Sequence, residues 1–93
     1  MDPTIQINER VDIVPLFYAN APEKTLCVPW KMRYRNNEVI FNVFGMRHPT
    51  AKGKRMIHVF EMSDGVNDYR IEFDAEHLTW TLVSMVEGRY VGI

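Results

Sequence analysis

The stretch WKMRYRNNEVIFNV, residues 30–43, decides how the chain is read. Trp30, Met32 and Tyr34 alternate with Lys31, Arg33 and Arg35, the period-2 pattern of a strand with one dry and one wet side. Asn36 and Asn37 tolerate left-handed backbone and supply a tight turn into the apolar run Glu38–Met46. The expectation is a hairpin whose first strand points Trp30 inward and a row of three cations outward.

Working outward, residues 4–14 (TIQINERVDIV) set Ile5, Ile7, Val11 and Ile13 against Gln6, Asn8, Arg10 and Asp12, a half-buried strand. Residues 15–29 carry Pro15, Pro22 and Pro29, which excludes a continuous strand there. Asn20-Ala21-Pro22-Glu23 has the form of a helix start, so one short helix is expected near residues 21–26. Beyond the hairpin, RHPTAKGK (47–54) reads as a loop, RMIHVFEM (55–62) as a strand, and Ser63-Asp64-Gly65 as a turn. DYRIEFD (68–74) alternates most cleanly, with Tyr69, Ile71 and Phe73 inward. LTWTLVSMV (78–86) follows with Leu78, Trp80, Leu82 and Val86 inward, and RYVGI offers a short closing strand.

These parts describe one domain over residues 1–93, mainly β. The expected fold is a small antiparallel meander of six or seven strands rolled into a barrel or half-barrel, with Trp30, Tyr69, Phe73 and Trp80 meeting inside. The alternative is a flatter sheet covered by the 15–29 segment through Leu16, Phe17 and Leu26. Pro29-Trp30, the basic-aromatic run Lys31–Tyr34, Asp64-Gly65, Tyr69-Arg70 with Phe73-Asp74, and Trp80 with Leu82 follow one another in a recognisable order. That order, over residues 29–85, resembles small bacterial all-β, barrel-like domains of unknown function. The resemblance implies architecture and transfers no functional residue.

The composition is that of an ordinary globular protein, 46% hydrophobic and 25% charged, with a formal net charge of −1. Such a balance gives no long-range pull toward nucleic acid or an anionic membrane. With Cys27 alone no intramolecular disulfide forms, and the start MDPTIQINER has neither the basic residues nor the apolar run of a signal peptide. A cytoplasmic location is expected, away from membranes.

Candidate chemistry is sparse. His48, His58 and His77 lie too far apart for the close ligand pairs of zinc sites, and Cys27 has no partner. Ser63 and Ser84 lack a nucleophile-elbow setting, and the apolar neighbours of Cys27 raise its pKa rather than lower it. Glu72 and Asp74 read as a solvated row on the outer side of a strand. HPTAKGKR fails as a phosphate loop, because His48 stands where the first glycine is needed and Arg55 where Ser or Thr would hold magnesium. No catalytic residue, metal or cofactor is expected, and the protein is read as non-enzymatic.

Two asymmetries remain. Residues 31–55 hold seven cations (Lys31, Arg33, Arg35, Arg47, Lys52, Lys54 and Arg55) against Glu38, whereas residues 61–76 hold six carboxylates against Arg70. Either Lys31, Arg33 and Arg35 pair across strands with carboxylates such as Asp68, Glu72 and Asp74, the favoured reading, or the basic segment stands free as a nucleic-acid-binding surface. The second asymmetry is apolar. Val39, Phe41 and Val43 alternate with Ile40, Phe44 and Met46, and Val83 and Met85 fall on the outer side of their strand. Either residues 15–29 cover that second face, or it contacts another protein or a second copy of the chain. The leading functional expectation is a protein-interaction or self-association module, a homodimer included, using Ile40, Phe44, Met46, Val83 and Met85. The alternative is the nucleic-acid-binding barrel.

Overall fold

A computed structural model describes residues 3–19, 27–52 and 55–88, with backbone alone at 46–52. Among these residues the strands are β1 (Thr4–Arg10), β2 (Asp12–Phe17), β3 (Cys27–Tyr34), β4 (Asn37–Ile40), β5 (Val43–Lys52), β6 (Arg55–Ser63), β7 (Asp68–Asp74) and β8 (Thr79–Val86). All pairing is antiparallel. The expected helix at 21–26 and the closing strand RYVGI lie outside the described residues.

The mainly antiparallel β architecture matches the sequence pattern, but the pairing does not close into one barrel. It divides into a five-stranded sheet, β1-β8-β7-β6-β5, and a three-stranded sheet, β2-β3-β4. Two runs that the sequence presents as single strands are each split between the sheets. Residues 4–14 break at Val11, whose N–H donates to the Trp80 carbonyl of the large sheet (3.1 Å). Residues 38–46 break at Phe41-Asn42, where the Phe41 N–H donates to Trp30 of the small sheet (2.9 Å) and the Asn42 N–H to Ser63 of the large one (3.1 Å). Strands that switch sheets at a bend make the corners of a two-layer β structure, so the sheets pack face to face instead of curling into a ring. The small sheet is the cover that the alternative reading assigned to residues 15–29.

The core lies between the two layers. Phe60, Ile71 and Leu82 form one rung of the large sheet's inner face, and Met62, Tyr69 and Met85 form the next. Ile13, Met32 and Val39 form the facing rung of the small sheet. Met32, Ile71 and Leu82 are wholly inaccessible to solvent. Trp80 stacks on Phe73 at 4.4 Å between ring centroids, and Phe41 meets Tyr69 edge-on at 5.4 Å, geometries that aromatic pairs prefer.

Bulges in β8 and β5 help explain why two strands looked apolar on both sides, and a third, in β3, reverses Trp30. In β8 the register slips between Leu82 and Ser84, leaving Val83 as the extra residue. Trp80 and Leu82 point inward before the slip, and Met85 points inward after it, packed against the core rather than on an outer face. In β5 the slip falls at Gly45, so Phe44 pairs with Met62 whereas Met46 pairs with Glu61. A Cβ at Gly45 would stand 2.8 Å from the Glu61 carbonyl oxygen, which is why glycine occupies this bulge. In β3 the slip falls at Trp30: Lys31 pairs with Val14 and Pro29 with Pro15. Trp30 is thereby turned outward and is 39% exposed, correcting its expected place in the core, while Pro29 is buried.

The prolines did not prevent strand formation. Pro15 lies on an edge strand, and Pro29 sits opposite it beyond the end of β4, where β3 has no strand on its other side. Neither therefore removes a ladder hydrogen bond from a strand paired on both sides. The expected loop at 47–54 is also corrected: Arg47–Lys52 continue β5 in register with β6, down to Lys52 opposite Arg55. The first hairpin turns one residue earlier than expected. Arg35 and Asn36 hold φ of 50° and 65°, both central positions left-handed as the twist of a two-residue hairpin requires.

Candidate interaction surface

The hairpin shift fixes what the small sheet shows to solvent. With Met32 buried at the centre of the inner rung, its neighbours Lys31 and Arg33 point outward. The register then sets two outer rungs side by side, Asp12–Arg33–Glu38 and Val14–Lys31–Ile40. Lys31 Nζ and Arg33 NH2 each lie 3.8 Å from a different oxygen of Glu38, and Lys31 Nζ stands 5.4 Å from the Trp30 ring centre. Val14, Ile40 and Trp30 are exposed among these charges, and a groove of about 240 Å³ runs along Asp12, Val14, Lys31, Arg33 and Glu38. At the end of β2, Phe17 is 70% exposed beside exposed Tyr18. A face with as many carboxylates as cations, and with aliphatic and aromatic side chains between them, has the mixed chemistry of a protein contact.

Lys31, Arg33 and Arg35 find carboxylates other than those expected. The Asp68–Asp74 strand belongs to the large sheet and does not adjoin β3. Lys31 and Arg33 instead share Glu38, and Arg35, in the turn, pairs with Glu9 of β1 and stacks on Tyr34 at 5.0 Å. The Glu9 carboxylate raises the Arg35 pKa by hydrogen bond and charge. This pair ties the hairpin tip to the large sheet. Arg55 reaches Asp74 at 2.9 Å. Arg47 stands opposite Phe60 in the register and Lys52 opposite Arg55, while Lys54 lies outside the described residues. Among the described residues the cations are thus spread over both sheets and do not form one row.

The expected contact set is likewise divided. Ile40 is exposed on the small sheet, Phe44 packs edge-on against Phe60 at 6.4 Å near the rim, and Met85 belongs to the core. Val83 is a bulge residue and Met46 pairs with Glu61. Ile40 alone of the five shares the outer rungs described above. Val14 and Trp30 complete that surface; the sequence pattern places Trp30 in the core and gives Val14 no side, and the prolines at 15 and 29 were the signal, because an interrupted ladder is where alternation reverses.

The large sheet's outer face joins internally paired charges to two buried aliphatic side chains, Ile57 and Val59, in the rungs next to Glu61 and Arg70. Arg70 meets Glu61 at 2.7 Å. Asp74 accepts from the Glu76 and His77 N–H groups, the His77 ring and Arg55, and the His77 contact leads the interactions that hold its carboxyl below the usual range. Asp64 accepts from the Val66 and Asn67 N–H groups and the Tyr69 hydroxyl. Burial works against its charge, yet these donors together lower its pKa. Burial also pushes the Tyr69 hydroxyl up, keeping it a donor. Asn67 accepts the Gly88 N–H at 2.6 Å, so this turn also fastens the chain after β8. Two clefts lie on this face. One, of about 310 Å³, is flanked by Gln6, Glu61, Arg70 and Ser84, and the other, of about 160 Å³, by Arg10, Arg55, Glu72 and Thr81. The groups around Asp64 and Asp74 are engaged in turn formation.

His58 stacks on Phe73 (6.3 Å), Ser63 accepts the Gly65 N–H, and Cys27 packs against the core. Among the described residues no three His, Cys, Asp or Glu side chains gather closely enough to hold a metal ion, and no helix is long and apolar enough to cross a membrane. Compared with protein-family models, curated proteins and solved structures, the chain has no significant match to any.

Proposed function

We propose that this protein is a non-enzymatic β module that contacts another protein through the outer face of its small sheet. The observation that carries the reading is the exposure of Val14 and Ile40 in the Lys31 rung and of Trp30 in the bulge beside it, among charges that balance. Buried in a contact, these side chains would act as anchors and the surrounding charges as the polar rim. A nucleic acid is the poorer fit, because Lys31, Arg33, Arg35 and Arg55 would each have to leave a carboxylate before meeting phosphate.

Comparative capture tests the reading. Immobilised wild-type protein and the Trp30→Ser/Ile40→Ser double variant, shown by circular dichroism to be equally folded, are exposed to the same cell extract and to the purified chain itself. The expected result is a bound protein that the wild type retains and the double variant loses. Equal retention of every bound protein by both would overturn the assignment of this face.

A further inference from the structure

Resting on that reading of the small sheet, we propose that the protein seated on it is a second copy of this chain. The edges of the sheets do not favour strand addition. The β2 edge contains Pro15, β5 contains Pro49 and the Gly45 bulge, β4 has 4 residues, and β1 is bent at Asn8, whose φ is 54°. These are devices that blunt strand edges against pairing with another chain. What remains for association is the face.

The charge order on that face selects its occupant. The central strand β3 carries the positive stripe, Lys31 and Arg33, and the flanking strands carry Asp12 and Glu38 in the Arg33 rung and Val14 and Ile40 in the Lys31 rung. A partner of one charge sign leaves half of these groups unmatched. A second copy, turned about a two-fold axis parallel to the strands and midway between β3 and β4, keeps the rungs level while exchanging the strands. Arg33 then stands against Glu38 of the second copy, and Glu38 against Arg33 of it. The Lys31 stem lies over Ile40 in the same double fashion. The contact is isologous and closes as a dimer. Arg33 and Glu38 are 62% and 52% exposed at the side chain and only 3.8 Å apart, open enough to exchange partners. Because only β3 and β4 overlap their copies about this axis, β2 of each chain lying beyond the β4 edge of the other, the area falls at the low end for protein contacts and the dimer is weak.

The test is a charge exchange read as mass. Sedimentation velocity at about millimolar protein, a concentration suited to a weak association, is run on wild type, Arg33→Glu, Glu38→Arg and an equal mixture of the two variants. Circular dichroism first establishes that each variant is folded. Wild type is expected to dimerise, and each variant alone to lose affinity by about tenfold or more, because like charges then face each other across the axis. The mixture is expected to return to the dimer, since both cross-axis contacts are again of opposite sign. Pairing within one chain cannot produce that recovery. A mixture that stays monomeric overturns the proposal. A wild type that stays monomeric also overturns it, while a different protein retained by the wild type and lost by Trp30→Ser/Ile40→Ser would leave the contact face itself standing.

Discussion

The two sheets treat their outer faces in opposite ways. On the large sheet, Arg70 is satisfied by Glu61 and Arg55 by Asp74, and the two flanking turns are locked by Asp64 and Asp74. On the small sheet, Val14, Trp30 and Ile40 stand exposed beside ion pairs no closer than 3.8 Å. The contrast separates two uses of surface. One face is finished by its own chain and serves stability, whereas the other is held in shape by its inner rung and is left available.

That contrast can be broken most severely through the shared core. Leu82→Ala removes a wholly buried side chain from the rung between Phe60, Ile71 and the small sheet, and is expected to cost about 2–5 kcal/mol, read from chemical denaturation. Next in size is Asp64→Ala, which strips acceptors from two backbone N–H groups and Tyr69 and is expected to cost about 1–2 kcal/mol. The same carboxylate gives a pH test. Its folded pKa lies below the ordinary value, so its contribution is complete above about pH 4 and is lost as pH falls through the folded value. Asp64→Asn should therefore flatten the acid limb of a stability profile measured between neutral pH and pH 3. Smaller again is Leu78→Asn. Leu78 holds φ of 59° in the β7–β8 turn and is 74% exposed, so a residue tolerant of left-handed backbone is expected to raise stability by about 0.5–1 kcal/mol, seen as a higher melting temperature.

Much of the fold was legible because alternation and turn chemistry are local. Tyr69, Ile71 and Phe73 fell on the side the sequence assigns them, and Ser63-Asp64-Gly65 made the turn its residues announce. Leu78, counted as the first inward residue of the last strand, instead closes the turn and faces solvent. Trp30 and Met85 exchanged sides for a related reason: each follows the local pattern until a bulge reverses it. The contact surface was legible only at Ile40. Trp30 joined Val14 and Ile40 through a register slip between β2 and β3, a relation between segments that no single stretch of residues contains.

Sequence alone determined the antiparallel β class, most strand positions and a formal net charge of only −1, because side-chain periodicity, turn residues and composition act over neighbouring positions. Only tertiary structure decided the division into two sheets, the reversal of faces at Trp30, Gly45 and Val83, and the pairing of Arg33 with Glu38 and Arg35 with Glu9. Those outcomes depend on which strands meet and in what register, and a slip of one residue sends every following side chain to the opposite face.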